Sequence, residues 1–164
     1  MKKILSTLAL VGLVATSSFA NDTKGLYLGG FAGSVTFGDS DATEYGFSYG
    51  YTKEFQNNVT FGFENSFFAD SFDSENQNTS KSTIYGMDIN LQIGYKYKGF
   101  HAYALGGAIL LDSFYGFEYG GAAEYFITDS FRIGADFKQS SLTDSYGVSD
   151  IDYTKYTGFL RYTF

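Results

Sequence analysis

Residues 85–97 alternate strictly between two kinds of side chain, and this alternation limits the possible fold more than any other feature of the sequence. A period of two places one set on each face of a β-strand, whereas a helix would scatter both sets around its axis. One set has aromatic rings at both ends and aliphatic side chains in its middle, which is the order that a lipid bilayer favours. The strand therefore has one face suited to hydrocarbon, formed by Tyr85, Met87, Ile89, Leu91, Ile93, Tyr95 and Tyr97.

Seven other segments after residue 25 read as strands of about ten residues, joined by connections that alternate between long and short. An even number of strands places both chain ends beside the short turns. No water satisfies a free sheet edge in lipid, so the sheet must close. The predicted fold class is all-β, an eight-stranded antiparallel up-and-down transmembrane β-barrel. Polar connections are predicted at 38–44, 70–82 and 139–152, the last two of them long, and short turns are predicted at 53–58, 98–99 and 128–130.

Two strands are harder to orient. In the first strand, Leu26 and Leu28 favour one outward face, whereas Phe31 and Val35 favour the other, so the sequence leaves its facing open. In the fifth strand the larger side chains share one parity, which predicts that they point outward. That predicted outward row is His101, Tyr103, Leu105, Gly107, Ile109 and Leu111.

The amino-terminal segment predicts export. Lys2 and Lys3 precede a short apolar run at 4–14, and small residues follow at 18 and 20, a pattern typical of a cleaved secretory signal. Residues 1–20 are therefore predicted to be a cleaved signal peptide, and residues 21–164 a single outer-membrane β-barrel domain. Beyond residue 20 no apolar run approaches the ~20 residues that a membrane-spanning helix needs.

Composition excludes several function classes. The chain has no cysteine, which removes disulfides and thiolate metal sites, and no Gly-rich segment opens a helical pattern that could bind phosphate. Residues 21–164 contain nine basic and 18 acidic residues, a formal charge of −9. Nucleic acid is therefore not an expected partner, and no cofactor or metal is predicted.

The last strand alternates like residues 85–97 and ends on an aromatic residue. It resembles the closing strand of bacterial outer-membrane barrels. Segments 51–68, 89–95, 103–107 and 123–129 resemble the OmpA-type small outer-membrane barrel family, here the barrel alone without that family's peptidoglycan-binding domain. The resemblance implies a location in the outer membrane of a Gram-negative bacterium. It also implies that the barrel-assembly machinery reads the closing strand, through Tyr156, Leu160, Tyr162 and Phe164.

The same family fills its lumen with charged residues. An inward Glu on strand three and another on strand six join a Lys and an Arg. Glu64 and Glu124 match the two acids, but Gln92 and Ala104 stand where the Lys and Arg are expected. The family's network therefore cannot be transferred intact to this chain.

Strand parity predicts a replacement. Charges in a narrow lumen must pair, because an unpaired buried charge destabilises a protein by several kcal/mol. Parity alone leaves open whether Lys96, Lys138 and Lys155 lie in the lumen or at its rims. The predicted interior charge network is Glu64, Asp88, Glu118, Glu124, Asp136, Arg132, Lys138 and Arg161.

The remaining polar residues do not predict an enzyme. His101 is the only histidine, and its place beside the 98–99 turn predicts an interfacial residue near the aromatic belt. A further set of acids is assigned to solvated outer loops, because none of their spacings matches a calcium loop. These acids are Asp39, Asp41, Glu44, Asp70, Asp73, Glu75, Asp112, Asp144, Asp150 and Asp152.

Three functions remain open from the sequence. The first is an integral outer-membrane barrel with a structural or surface-interaction role, probed by whether the loops are exposed on cells. The second is a narrow, low-conductance channel for small solutes, because eight strands enclose little space. The third is a soluble periplasmic lipocalin-like binding protein. For the first, the expected partners are outer-membrane lipids, lipopolysaccharide and, during insertion, the assembly machinery; the barrel is expected to be a monomer.

Overall fold

The computed structural model describes residues 25–72, 82–144 and 150–164, and these residues form eight β-strands. The predicted signal peptide at 1–20 lies outside the described residues. In the described part of the chain there is no helix long and apolar enough to cross a membrane. The strands are β1 Leu26–Phe37, β2 Ser40–Glu54, β3 Val59–Phe72, β4 Ser82–Tyr97, β5 Phe100–Leu111, β6 Phe114–Phe126, β7 Phe131–Asp144 and β8 Asp150–Thr163.

Each strand pairs antiparallel with the next, and β1 also pairs with β8, so the sheet is a closed barrel. The closing register places Tyr27 opposite Thr163, and the last backbone bond runs from the Phe164 N–H to the Leu26 carbonyl. The predicted fold class is confirmed. We call the end that carries the chain terminus and the turns at 55–58, 98–99 and 127–130 the terminal end, and the opposite end the loop end.

The outward face of β4 carries the apolar row that the alternation predicted. Tyr85, Leu91 and Ile93 are 70 %, 59 % and 60 % exposed, although an aqueous protein rarely presents a large contiguous apolar surface. Met87 is the exception in this row. It is buried because it lies between Phe67 of β3 and Leu110 of β5 in the register. Other strands continue the exposed aromatic and aliphatic surface around the barrel.

The facing of β1, which the sequence left open, is settled by burial. Tyr27 and Val35 point into the lumen and are almost fully buried, whereas Leu28 points outward and is half exposed. Phe31 shares the inward parity of Tyr27 and packs against the buried core near the loop end.

The predicted facing of β5 is wrong. His101, Tyr103, Leu105, Ile109 and Leu111 are buried in the lumen, and the outward row is Phe100, Ala102, Ala104, Gly106, Ala108 and Leu110. The cause is the two-residue turn at 98–99, which pairs Tyr97 with Phe100 and so gives both the same outward face. Residue size misleads here because the lumen needs large side chains at this strand, while its outer surface carries mostly alanine and glycine.

The predicted polar connection at 38–44 is also wrong in its bounds. Phe37 pairs with Ser40, so β1 and β2 are joined by a two-residue turn in which Gly38 has a φ of +58°, a conformation that favours glycine. The strands beside the other two predicted loops also extend further than expected. The described strands reach residues 72, 82, 144 and 150, and residues 73–81 and 145–149 lie outside the described residues.

Candidate functional site in the barrel lumen

The lumen is filled by polar and charged side chains that touch one another. The structure places all eight residues of the predicted interior charge network there, and none is more than 9 % exposed. We call this set, together with the further buried polar residues described below, the lumen network.

Glu124 is the centre of the lumen network near the terminal end. Its carboxylate lies 2.7 Å from Arg132 Nη1, 2.8 Å from His101 Nδ1 and 3.3 Å from Arg161 Nη1. Charge-assisted hydrogen bonds of this kind are among the stronger polar contacts in proteins. One carboxylate from β6 thereby joins side chains of β5, β7 and β8.

His101 is part of this layer. The predicted position at an outer interface is therefore wrong. Its ring is 2 % exposed, and its Nε2 lies 2.8 Å from Thr60 Oγ1. Since Glu124 is an acceptor for Nδ1, the ring is oriented with its Nδ1–H toward the carboxylate and Nε2 toward the Thr60 hydroxyl. The correction follows from the inverted facing of β5.

Arg161 occupies the next layer and supplies the cation that Gln92 and Ala104 do not. It forms an ion pair with Glu64, and its Nη1 donates to the Tyr103 hydroxyl at 2.5 Å. Its guanidinium also lies 3.8 Å from the centroid of the Phe159 ring.

Two lysines cross the middle of the lumen. Lys138 Nζ lies 3.4 Å from Asp88 and 3.8 Å from both Glu64 and Glu118. Lys155 Nζ lies 3.0 Å from Asp88 and 3.3 Å from Glu118. Both lysines are buried, which parity could not decide.

The other groups at this level are neutral hydrogen-bonding partners. Thr157 donates to Asp136 at 2.5 Å, and Asn90 donates to Glu118 at 2.8 Å. Lys96, by contrast, lies at the terminal rim and pairs there with Glu54 at 3.0 Å.

The sequence predicted that Glu44 and Asp70 are solvated loop acids, and this prediction is wrong. Both are buried members of the lumen network. Each is 1 % exposed, and the Tyr153 hydroxyl lies 2.6 Å from Asp70 and 3.3 Å from Glu44. The error follows from the strand ends: β2 and β3 continue past the predicted boundaries, and both residues keep the inward parity. Glu44 shares the parity of Ser48 and Asp70 that of Glu64, a signal present in the sequence.

An apolar cap closes the lumen above this layer at the loop end. Val35, Phe68, Ile109, Leu142 and Tyr153 are buried together, and further partly buried aromatic rings pack against them. Such a cluster excludes water because removing apolar surface from water lowers the free energy. Ions passing along the barrel axis would have to cross this cap.

The lumen contains a small central cavity and a larger cavity at the terminal end. In the described part of the chain, a central cavity lined by Glu64, Lys138 and Arg161 has a volume of about 10 Å³, about the least that holds one water. At the terminal end a cavity of about 350 Å³ opens between Thr60, His101 and Arg132. We call the larger space the mouth cavity.

The closing strand carries the predicted assembly signal on the outside of the barrel. The closing-strand residues Tyr156, Leu160, Tyr162 and Phe164 all point outward, between 41 % and 60 % exposed. Their recognition by an assembly machinery stays a prediction. Among the described residues, no group of three or more histidine or acidic side chains is placed to hold a metal ion.

Comparison with known proteins adds a family and a set of folds. Residues 6–164 match the family described as Outer membrane protein beta-barrel domain. Among solved structures, the chain is similar to Neisserial surface protein A, with a TM-score of 0.63 and 11 % identity over 85 % of this chain and 97 % of that one. It is also similar to Ail, the attachment invasion locus protein of Yersinia pestis, solved in complex with the heparin analogue sucrose octasulfate. That match has a TM-score of 0.60 and 15 % identity over 86 % and 97 % of the two chains. Comparison with curated protein sequences finds no significant match.

Proposed function

The chain belongs to the outer-membrane β-barrel domain family, and we propose that this outer-membrane protein has a structural and surface-interacting role. The observation that carries the proposal is the sealed lumen. Charged layers and an apolar cap occupy the axis, so the inside of the barrel stabilises it and the groups available to partners lie at its ends.

The narrow channel is not the function that the lumen supports. The central cavity has a volume of about 10 Å³, and the cap that includes Phe68 and Ile109 lies at the loop end, so the described residues leave little space for an aqueous path. The soluble lipocalin-like protein is overturned by the family, which belongs to the outer membrane. A binder of that kind would also need an open cavity in its barrel, where this chain has buried ion pairs.

The absence of catalytic activity is part of this proposal. Thr60, His101 and Glu124 do form a hydroxyl–imidazole–carboxylate chain, but Glu124 is also bound by Arg132 and Arg161, and all five side chains are buried. We assign this chain of contacts to barrel stability.

The loop end is the surface that would meet partners outside the cell. Asp39, Asp41, Asp112 and Asp152 are exposed there, and no described lysine or arginine is exposed beside them. Ail was solved with a heparin analogue, a polyanion. Like charges repel, so this chain's loop end is suited to cationic partners and not to sulfated polysaccharides.

Cysteine labelling on intact cells tests this orientation. Because the chain has no cysteine, Asp112→Cys and Lys98→Cys each introduce one thiol, at the loop end and at the terminal end respectively. A membrane-impermeant maleimide is expected to label the Asp112→Cys variant on intact cells, and the Lys98→Cys variant only after permeabilisation. Labelling in the opposite order would place the loop end in the periplasm and contradict the proposed surface role.

A further inference from the structure

We propose that the mouth cavity binds a small zwitterionic ligand, of the class of a short peptide with a free amino and a free carboxyl end. The cavity has a volume of about 350 Å³, at the lower end of the ~300–1,000 Å³ typical of small-molecule sites. It is the larger of the two lumen spaces described above, and it opens at the terminal end.

The floor of the mouth cavity is held in place before any ligand arrives. Thr60, His101 and Arg132 line it and are each no more than 3 % exposed. His101 is fixed by hydrogen bonds at both ring nitrogens, to Thr60 and to Glu124. A preformed floor lowers the entropy that binding would cost.

Arg132 offers the floor's anion-binding group. Its Nε donates to Thr163 at 2.8 Å and its Nη1 to Glu124 at 2.7 Å, which leaves Nη2 for a ligand carboxylate. The guanidinium is also held between the rings of Tyr27 and Phe126, whose centroids lie 4.9 Å and 5.2 Å away. It is therefore fixed in orientation, as recognition of a planar carboxylate requires.

The rim carries two further charges of opposite sign. Lys53 comes from the end of β2 and Asp129 from the turn between β6 and β7, and both line the cavity. Neither takes part in an ion pair among the described residues, whereas Lys96 and Glu54 on the same rim pair with each other at 3.0 Å. Lys53 and Asp129 are thus available to a carboxylate and an ammonium group.

The charge balance selects the class of ligand. Lys53, Lys96 and Arg132 are offset by Glu54 and Asp129 in the lining and by Glu124 directly behind Arg132. A polyanion such as a phosphate ester would meet as many acids as bases. A ligand that itself carries both charges can pair its carboxylate with Lys53 and its ammonium group with Asp129.

Saturation-transfer NMR on the full chain refolded in lipid nanodiscs tests the proposal with L-alanyl-L-alanine as the probe. The free dipeptide is expected to receive saturation from the barrel and not from empty nanodiscs. Its N-acetylated and its C-amidated forms are each expected to bind about two- to five-fold more weakly, since each loses one exposed charge contact.

Variants at the rim localise the signal. Lys53→Gln and Asp129→Asn are each expected to weaken dipeptide binding by about two- to five-fold, without touching the buried network. Lys98→Gln is the matched control, because Lys98 lies at the same end over the Tyr97 ring and does not line the cavity. The proposal is overturned if the blocked peptides bind as well as the free one, if a neutral disaccharide binds in its place, or if no probe binds at millimolar concentration.

Discussion

Replacing Arg161 with methionine is expected to lower the free energy of unfolding by about 3–5 kcal/mol, the usual cost of leaving a buried charge without its partner. Arg161 pairs with Glu64 and lies 3.3 Å from Glu124. Glu124 keeps Arg132, but among the described residues Glu64 then has only the Tyr27 hydroxyl at 2.9 Å and Lys138 at 3.8 Å. Urea unfolding in phospholipid vesicles, followed by tyrosine fluorescence, measures the loss.

Two controls separate the buried charge from side-chain size. Lys96→Met removes the exposed pair with Glu54 and is expected to cost no more than about 1 kcal/mol. Adding Glu64→Gln to Arg161→Met removes the orphaned charge and should recover part of the lost stability. If Arg161→Met and Lys96→Met had equal effects, the lumen network would not be the stabilising feature that the contacts indicate.

Replacing Leu91 with arginine is expected to destabilise the barrel in lipid by about 2–4 kcal/mol, the cost of a charge near the middle of the bilayer on the lipid face of a barrel. Leu91 lies in the middle of the outward row of β4 and is 59 % exposed. The same urea titration in vesicles gives the free energy. The loss of stability comes from contact between arginine and the lipid, since the substituted side chain points away from the protein.

Thr83→Arg is the matched control for this substitution. Thr83 lies on the same strand and the same face, but near the loop end, where arginine is expected to cost about 0–1 kcal/mol. A depth-dependent difference between the two positions is the signature of a bilayer. Equal losses at residues 83 and 91 would mean that the outward row meets a uniform environment.

The barrel itself could be predicted from two features of the sequence, the alternation of polarity along its strands and the shortness of its turns. In β4 one face meets lipid and the other meets the polar lumen, so polarity alternates with every residue. This alternation predicts both the strand and which of its faces points outward. The Lys98–Gly99 turn is short enough to force antiparallel pairing of its two strands.

Strand β5 could not be oriented from its side chains alone. Its inward residues Tyr103 and Ile109 are large and apolar, because they help to fill the lumen, while Ala102 and Ala104 face outward. Size and hydropathy therefore pointed to the wrong face. The register of the turn gives the correct facing, since Phe100 pairs with Tyr97 across the turn and both residues therefore point outward.

Part of the membership of the interior network was predictable, but its geometry was not. Parity identifies which acids and bases face inward, yet it gives no height along the axis, so the partners of Lys138 and Lys155 could not be assigned. Glu44 and Asp70 were missed because polar composition suggested loops where the strands in fact continue. His101 was missed because its strand was oriented incorrectly.

Depth-resolved quenching of single labelled cysteines tests most directly that hydrocarbon surrounds the convex face of the barrel. The chain has no cysteine, so a fluorophore at Ile93→Cys, Ile133→Cys or Leu160→Cys reports from one known position on β4, β7 or β8. All three side chains are more than half exposed on the outward face. Lipids brominated in their acyl chains are expected to quench all three labels strongly, and a label at Lys98→Cys weakly. Quenching of the three outward labels by aqueous iodide, with no effect of the brominated lipids, would contradict the account.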